Sequence, residues 1–428
     1  KILLALIIGP GGGWLANHFN VPLAWMLGAM SATTVAAMLG LPVALPVVFR
    51  LAMLGVLGVM LGSGFAPEIL DRLGDWTISL IGLAIYTVTA TGVVAVFLRK
   101  VAGYDPITAY FSAAPGGLSE MILVGSQNGG DERIISLTHT SRILLVVLAL
   151  PFLMQIIFGY TPGPRPAAGI PLADAKLFDL LVLTFCGVAG FILAKLARLP
   201  AAAVLGPMLF SAAFHMGGLT DAKPPTELVA AAQVVVGTTI GCRFAGVSMK
   251  LVGRTIIASF GSTVILIAGG LLFAVLLHPL TGLPTIGIFL AFAPGGVAEM
   301  SLIALALSID AALVATHHIV RIFFIVVCTP LLFRLLPAQL RELLLGHLLG
   351  RVLLLRFLGG ALELLLQLAH RFLGRLVLVA HCRFTVLGLA VRRRIRVALL
   401  VRVRRLVRGL AVVARRFRRL FVALLLLL

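Results

Sequence analysis

Charge is scarce in this chain. Asp, Glu, Lys and Arg make up 12% of its 428 residues, about half the share of an ordinary soluble domain, while 61% are apolar and mean hydropathy is +1.13. A water-soluble globular protein is excluded. Cysteine is also sparse: Cys186, Cys242, Cys328 and Cys382 lie far apart, with no CxxC or zinc-ligand spacing, so no disulfide framework and no metal site is expected. A P-loop, a nucleophile elbow, an HExxH motif and a dinucleotide fingerprint are all missing, so neither enzymatic turnover nor a cofactor is expected. Apolar stretches separated by short polar breaks recur from residue 2 to residue 335, which makes membrane lipid the solvent. The sequence starts at Lys1, already inside an apolar run. A natural N-terminus further upstream is therefore expected, and no signal peptide is read.

The formal charge of +20 is unevenly spread. Residues 338–428 hold eighteen arginines, no lysine and two acids, Glu342 and Glu363, which leaves 17 basic against 13 acidic residues in 1–337. The tail is Leu/Arg-rich, with Arg-Arg-Arg at 392–394. It fits GC-rich coding sequence read in a shifted frame, a basic amphipathic helix on anionic lipid, or an arm touching nucleic acid. It has few aromatics and no nucleic-acid-reading motif, so no direct nucleic-acid partner is expected.

The body of the chain is duplicated. Ala-Pro-Gly-Gly-Leu-Ser-Glu-Met at 114–121 recurs as Ala-Pro-Gly-Gly-Val-Ala-Glu-Met at 293–300, an offset of 179. At the same offset Asp131 matches Asp310, His139 matches His318, Arg142 matches Arg321, and Gly58 and Gly62 match Gly237 and Gly241. One residue of slip brings Pro22, Gly28 and Met30 onto Pro200, Gly206 and Met208. The organisation is a first membrane repeat at 1–158, a linker at 159–176 containing Thr161-Pro-Gly-Pro-Arg-Pro166, a second repeat at 177–336 and the tail at 337–428.

Six apolar segments are expected per half, near 2–18, 22–41, 46–65, 76–98, 106–127 and 134–158, then 177–195, 200–217, 228–245, 255–277, 284–307 and 311–335. The fifth carries Pro-Gly-Gly, which breaks a helix by removing a donor and loosening the backbone. Basic loop residues fall out of phase between halves: Arg50 and Arg99-Lys100 in the first, Lys195, Arg198, Arg243, Lys250 and Arg254 in the second. Six full crossings per half would put one set on the wrong side, whereas five net crossings remove the conflict. The fold class is thus an all-α polytopic membrane protein of two inverted repeats. Each has about five net spans plus a broken Pro-Gly-Gly segment, which either enters and returns or pairs with another discontinuous stretch.

A helix broken inside lipid survives only if protein, water or ligand satisfies its freed backbone groups, so Pro115-Gly116-Gly117 and Pro294-Gly295-Gly296 are read as lining a polar cavity. Glu120 and Glu299 follow about one turn later, and intramembrane ionisable groups are functional by default. Arg142 and Arg321, on the next span, are candidates to pair with these carboxylates or to bind an anion. A purely structural clamp is the competing reading. His139 and His318, three residues before the arginines, are candidates for proton relay or for interhelical hydrogen bonds. Asp131 and Asp310 are expected to cap the following span. The spacing of Gly55, Gly58, Gly62 and Gly64, and of Gly237 and Gly241, is expected to serve helix packing.

These duplicated Pro-Gly-Gly-x-x-Glu-Met blocks, each followed by an Arg-bearing span, resemble the AbrB family of polytopic bacterial membrane proteins over about 1–337. The family carries the labels of aidB regulator and of ammonia monooxygenase, and is similar to the cation/proton antiporter and anion transporter superfamily. The resemblance implies a multi-pass protein of the bacterial inner membrane, with an influence on gene expression of obscure mechanism. Two readings follow: a secondary-transporter-like protein moving a small ion or polar metabolite, and a membrane protein that alters transcription indirectly. A membrane monooxygenase is a third. Membrane lipid and an unidentified small solute are the expected partners, and a homo-oligomer is allowed for.

Overall fold

The computed structural model describes residues 1–65, 74–159 and 170–335; the linker motif 161–166 and the Arg-rich tail lie outside the described residues. Among the described residues the protein is all-helical. The first half consists of α1 (Ile2–His18), α2 (Ala24–Met38), α3 (Val47–Gly62), α4 (Thr77–Lys100), α5 (Pro106–Ala113), α6 (Leu118–Gln127) and α7 (Glu132–Phe158). The second half repeats this as α8 (Leu177–Leu196), α9 (Ala202–Met216), α10 (Thr226–Cys242), α11 (Met249–Thr281), α12 (Thr285–Phe292), α13 (Val297–Ala306) and α14 (Ala311–Leu335). The expected breaks fall between α5 and α6 and between α12 and α13.

Five helices, α4, α7, α8, α11 and α14, are long and apolar enough to cross a membrane. Large apolar side chains point outward from them. On α8, for example, Leu177, Phe178, Leu181 and Phe185 are all exposed, as suits contact with lipid tails rather than water. The chain is a polytopic membrane protein.

Matched residues make matched contacts. Asn20 and Arg198 share a φ of 54°, and Leu23 and Ala201 share a φ of 49°, so the entries to α2 and α9 repeat the same left-handed backbone without glycine. Gly12 meets Gly28 where α1 crosses α2, and Gly190 meets Gly206 where α8 crosses α9. Between the halves the contacts are exchanged. Gly58 and Gly62 of α3 lie on the backbone of Val204 and Met208 in α9, while Gly237 and Gly241 of α10 lie on Met26 and Met30 in α2. Ser211 Oγ donates to Val59 O at 3.0 Å, and its counterpart Thr33 Oγ1 donates to Thr238 O at 3.5 Å. Bare backbone at these positions lets helices approach as close as side-chain-free surfaces allow.

Equivalent helices α4 and α11 pack against each other in opposite directions. Gly82 lies on Leu277, the Tyr86 and Phe273 rings are 5.5 Å apart, Gly261 lies on Phe97, and Arg254 Nη2 donates to Ala102 O at 3.1 Å. Arg50, near the start of α3, is within electrostatic range of Arg243, just past the end of α10.

The broken segments are helical hairpins. Gly125 and Gly130, at the end of α6 and just beyond it, approach Phe111 and Ile107 of α5, and Asp131 N donates to Thr108 Oγ1 at 2.8 Å. In the second half Gly287 of α12 approaches Ile309 and Leu313, beyond the end of α13. Each segment therefore enters and returns on its own side, which selects the first of the two arrangements left open by the sequence. The hairpins close as expected: Asp131 Oδ1 accepts from the amides of Arg133 and Ile134, and Asp310 Oδ1 accepts from Ala312 and Leu313.

Candidate functional site: two hairpin tips held by arginines

Each tip joins the carbonyl end of one short helix to the amide end of the next. Pro115 has no N–H and cannot continue α5, and Gly117 at φ +62° turns the chain so that α6 starts at Leu118. Pro294 ends α12 in the same way, but Gly296 is extended (φ −79°) as α13 begins. The carbonyls released at these breaks cannot be left bare inside lipid, since each would cost several kcal/mol in order of magnitude.

The arginines meet that need. Arg142 Nη1 donates to Ser112 O and Ala113 O at 3.1 and 3.3 Å, and Nη2 donates to Ala114 O at 2.7 Å. Arg321 Nη1 donates to Phe292 O and Ala293 O at 3.4 and 2.6 Å, and Nη2 donates to Gly295 O at 2.6 Å. Both side chains are fully buried, at 2% and 1% exposure. A planar guanidinium reaches several carbonyls at once, and its positive charge opposes the negative end of the half-helix.

Glu120 and Glu299 lie on the opposite half of each tip, in the first turn of α6 and α13, where a carboxylate complements the positive helix end. The Glu299 carboxylate folds against Gly296 and is 7% exposed, whereas Glu120 is half-buried near Gly117. Direct Glu–Arg pairs, one of the arrangements considered from sequence, do not form among the described residues. The arginines, on the helix after each hairpin, reach its carbonyl end, while the glutamates sit over its amide end.

His139 joins the first clamp. Its Nε2 donates to Phe111 O at 2.9 Å, so its Nδ1 is the lone pair that accepts from Arg142 Nη2 at 2.8 Å. His318 behaves differently, donating from Nδ1 to Val314 O on its own helix at 2.9 Å. The adjacent His317 turns away to meet Ser79 Oγ at 2.8 Å, beside the buried Trp76 ring.

The two tips converge. Arg142 and Arg321 lie within electrostatic range of one another and of Tyr86, whose hydroxyl donates to Leu266 O at 2.8 Å and whose ring is 5.4 Å from Phe292. The first hairpin packs on α14 of the second half: Tyr110 donates to Thr329 O at 2.9 Å, and a Cβ at Gly116 or Gly117 would touch Ile325 or Val326. Sequence reasoning named the tip residues, both arginines and both glutamates. It missed Tyr86, Ser79 and the separate role of His317, for which the only available signal was polarity inside otherwise apolar helices.

Comparison with known proteins gives the family. The profile described as "Transition state regulatory protein AbrB" matches residues 25–337. "Uncharacterized protein YhjN" of Bacillus subtilis (strain 168) is 30% identical over 357 residues, covering 78% of this chain and 93% of that protein. "Putative regulator AbrB" of Escherichia coli (strain K12) is 26% identical over 327 residues, covering 75% of this chain and 92% of that protein. With a family profile spanning most of the chain, and a relative matched along nearly its whole length, the protein belongs to the AbrB family.

Proposed function

We propose that this protein is a secondary-transporter-like membrane protein that carries a small ion or polar metabolite through a midplane site between its two hairpin tips. One observation carries the reading: two re-entrant hairpins, from oppositely directed halves, bring four matched charges, Arg142, Arg321, Glu120 and Glu299, into the interior of a lipid-embedded helical body. Such an arrangement is costly in lipid and matches the way broken helices build ion and substrate sites. Glu120 and Glu299 serve as proton- or cation-coupled carboxylates, and the glycines let solute approach the backbone. Arg50, Arg99, Lys100, Lys195, Arg198, Arg243, Lys250 and Arg254 gather at one end of the bundle when helix directions are followed. By the charge rule for membrane loops that end is read as the cytoplasmic one, which supports a multi-pass protein of the bacterial inner membrane.

Purified protein in liposomes is expected to move protons or solute, with Glu120→Gln and Glu299→Gln each abolishing movement. Full activity in both variants would remove the carboxylate mechanism. Cysteines introduced singly at 99–105 and 278–284 are expected to react with impermeant reagent from opposite sides; reaction from one side would overturn the inverted arrangement. The names of the family profile and of the Escherichia coli relative favour a second reading, indirect control of transcription. A Glu120→Gln/Glu299→Gln double variant that cannot transport yet still alters transcript levels would select it.

A further inference from the structure

Arg321 spends only part of its hydrogen-bonding capacity on its own hairpin. Its two terminal nitrogens hold the carbonyls of the second tip, but Nε, fully buried, has no hydrogen-bond partner. That nitrogen faces the other half: it lies 4.0 Å from where a Cβ on Gly116 would stand. An unmet N–H on a charged group, buried beside the first tip, demands an acceptor.

The first tip offers matching donors. α6 begins at Leu118 behind Gly117, so the amides of its first turn have no carbonyl within the helix to bond. Gly116 and Gly117 add no side chain that would fill the space, and residues 116–118 are partly exposed, with Ser119 exposed. The second tip lacks this opening, because Gly295 is buried under Met300 and residues 297–300 are buried.

We infer that the first tip is an anion-binding point, at which a small carboxylate or inorganic oxyanion accepts from Arg321 Nε and from the amide end of α6. This rests on the transport reading only for its purpose; binding itself is a property of the tip. A helix amide end with an arginine N–H opposite supplies convergent donors, a geometry suited to an oxygen-bearing anion and unsuited to a bare cation.

The test uses the full chain in detergent. Thermal stability is measured while sodium acetate, sulfate or nitrate is titrated against sodium chloride at constant ionic strength. Saturable stabilisation by at least one oxyanion is expected, with acetate and sulfate separating carboxylate from inorganic recognition. Arg321→Lys removes Nε and is expected to weaken apparent affinity tenfold or more. Should that variant not fold, Gly116→Ala gives an independent reading. Its methyl group would stand 4.0 Å from Nε and 3.2 Å from the movable end of Ile325 on a backbone (φ +159°) that strains a side chain; the melting temperature in chloride alone reports that strain, and the same loss of oxyanion affinity is expected on top of it. No saturable oxyanion effect in the wild type, or undiminished affinity in the variants that fold, would overturn the inference. Anion binding without flux in liposomes removes the transport reading and leaves this one; flux of a cation without anion binding does the reverse.

Discussion

The two hairpin tips have nearly the same sequence and different surroundings. Ala-Pro-Gly-Gly-Leu-Ser-Glu-Met leaves Gly116, Gly117 and Glu120 partly exposed, whereas Ala-Pro-Gly-Gly-Val-Ala-Glu-Met is packed so closely that Glu299 is 7% exposed. The backbone differs with it, left-handed at Gly117 and extended at Gly296. Identical motif residues therefore do not fix the state of a tip; what lies across from it does. The first tip faces α14 with a free guanidinium N–H, and the second is closed by its own Met300. Under the proposed transport reading, this inequality between the tips is the kind of asymmetry that alternating access requires.

The comparison can be broken most severely at the arginines. Removing either guanidinium strips charged donors from three buried carbonyls, each bond being worth roughly 1.5–3 kcal/mol. Arg142→Ala and Arg321→Ala are both expected to lose a folded, monodisperse species on size exclusion. Lysine at either position should restore part of the melting temperature. Equal tolerance of alanine at both would show that the clamps do not hold the tips.

Next in size are the glycines between the halves. A methyl group at Gly62 would enter Met208 O and Ser211, and one at Gly241 would enter Thr33 and the Thr34 amide. Overpacking of this kind costs about 1–3 kcal/mol. Gly62→Ala and Gly241→Ala should therefore lower the melting temperature by similar amounts. Gly55→Ala, whose nearest neighbour would be Pro207 at 3.9 Å, should leave it near the wild type. Unequal effects of the first two would mean that the matched seams are not energetically equivalent.

A smaller effect sharpens the contrast between the tips directly. Carbodiimide labelling followed by peptide mass spectrometry is expected to modify Glu120 before Glu299, because only the former is appreciably accessible. The smallest expected change is at the exchanged hydroxyls. Ser211→Ala should cost about 1 kcal/mol, the usual worth of a neutral hydrogen bond. Thr33→Ala should cost less through its bond to Thr238 O, because that bond is longer and the hydroxyl already donates to Ala29 O at 2.6 Å.

Much of the fold was legible in the chain. The repeat, the twelve apolar segments and the break at Pro-Gly-Gly follow from local chemistry: spacing, apolar length and the missing proline donor. Opposite orientation of the halves came from the phase of Arg50, Arg99 and Arg243, and the contacts of α4 with α11 agree with it. Partnership was harder to read. The sequence put Glu120 and Glu299 within reach of Arg142 and Arg321 as possible partners, yet the arginines serve carbonyl oxygens, because every backbone group is equally polar and leaves no mark in the pattern of side chains. His139 and His318 occupy matched positions but adopt different bonds, a distinction set by neighbours far away along the chain. The open first tip has the same origin.

The glycine seams carry a mechanical corollary. Where α2 meets α10 and α3 meets α9, backbone rests on backbone at Gly237 and Gly58, with only small side chains such as Thr33 and Ser211 beside the contact. Such a joint has no slack, so those four helices act as a stiff chassis, and any rearrangement that opens one tip and shuts the other must be taken up by the hairpins and the helices that hold them.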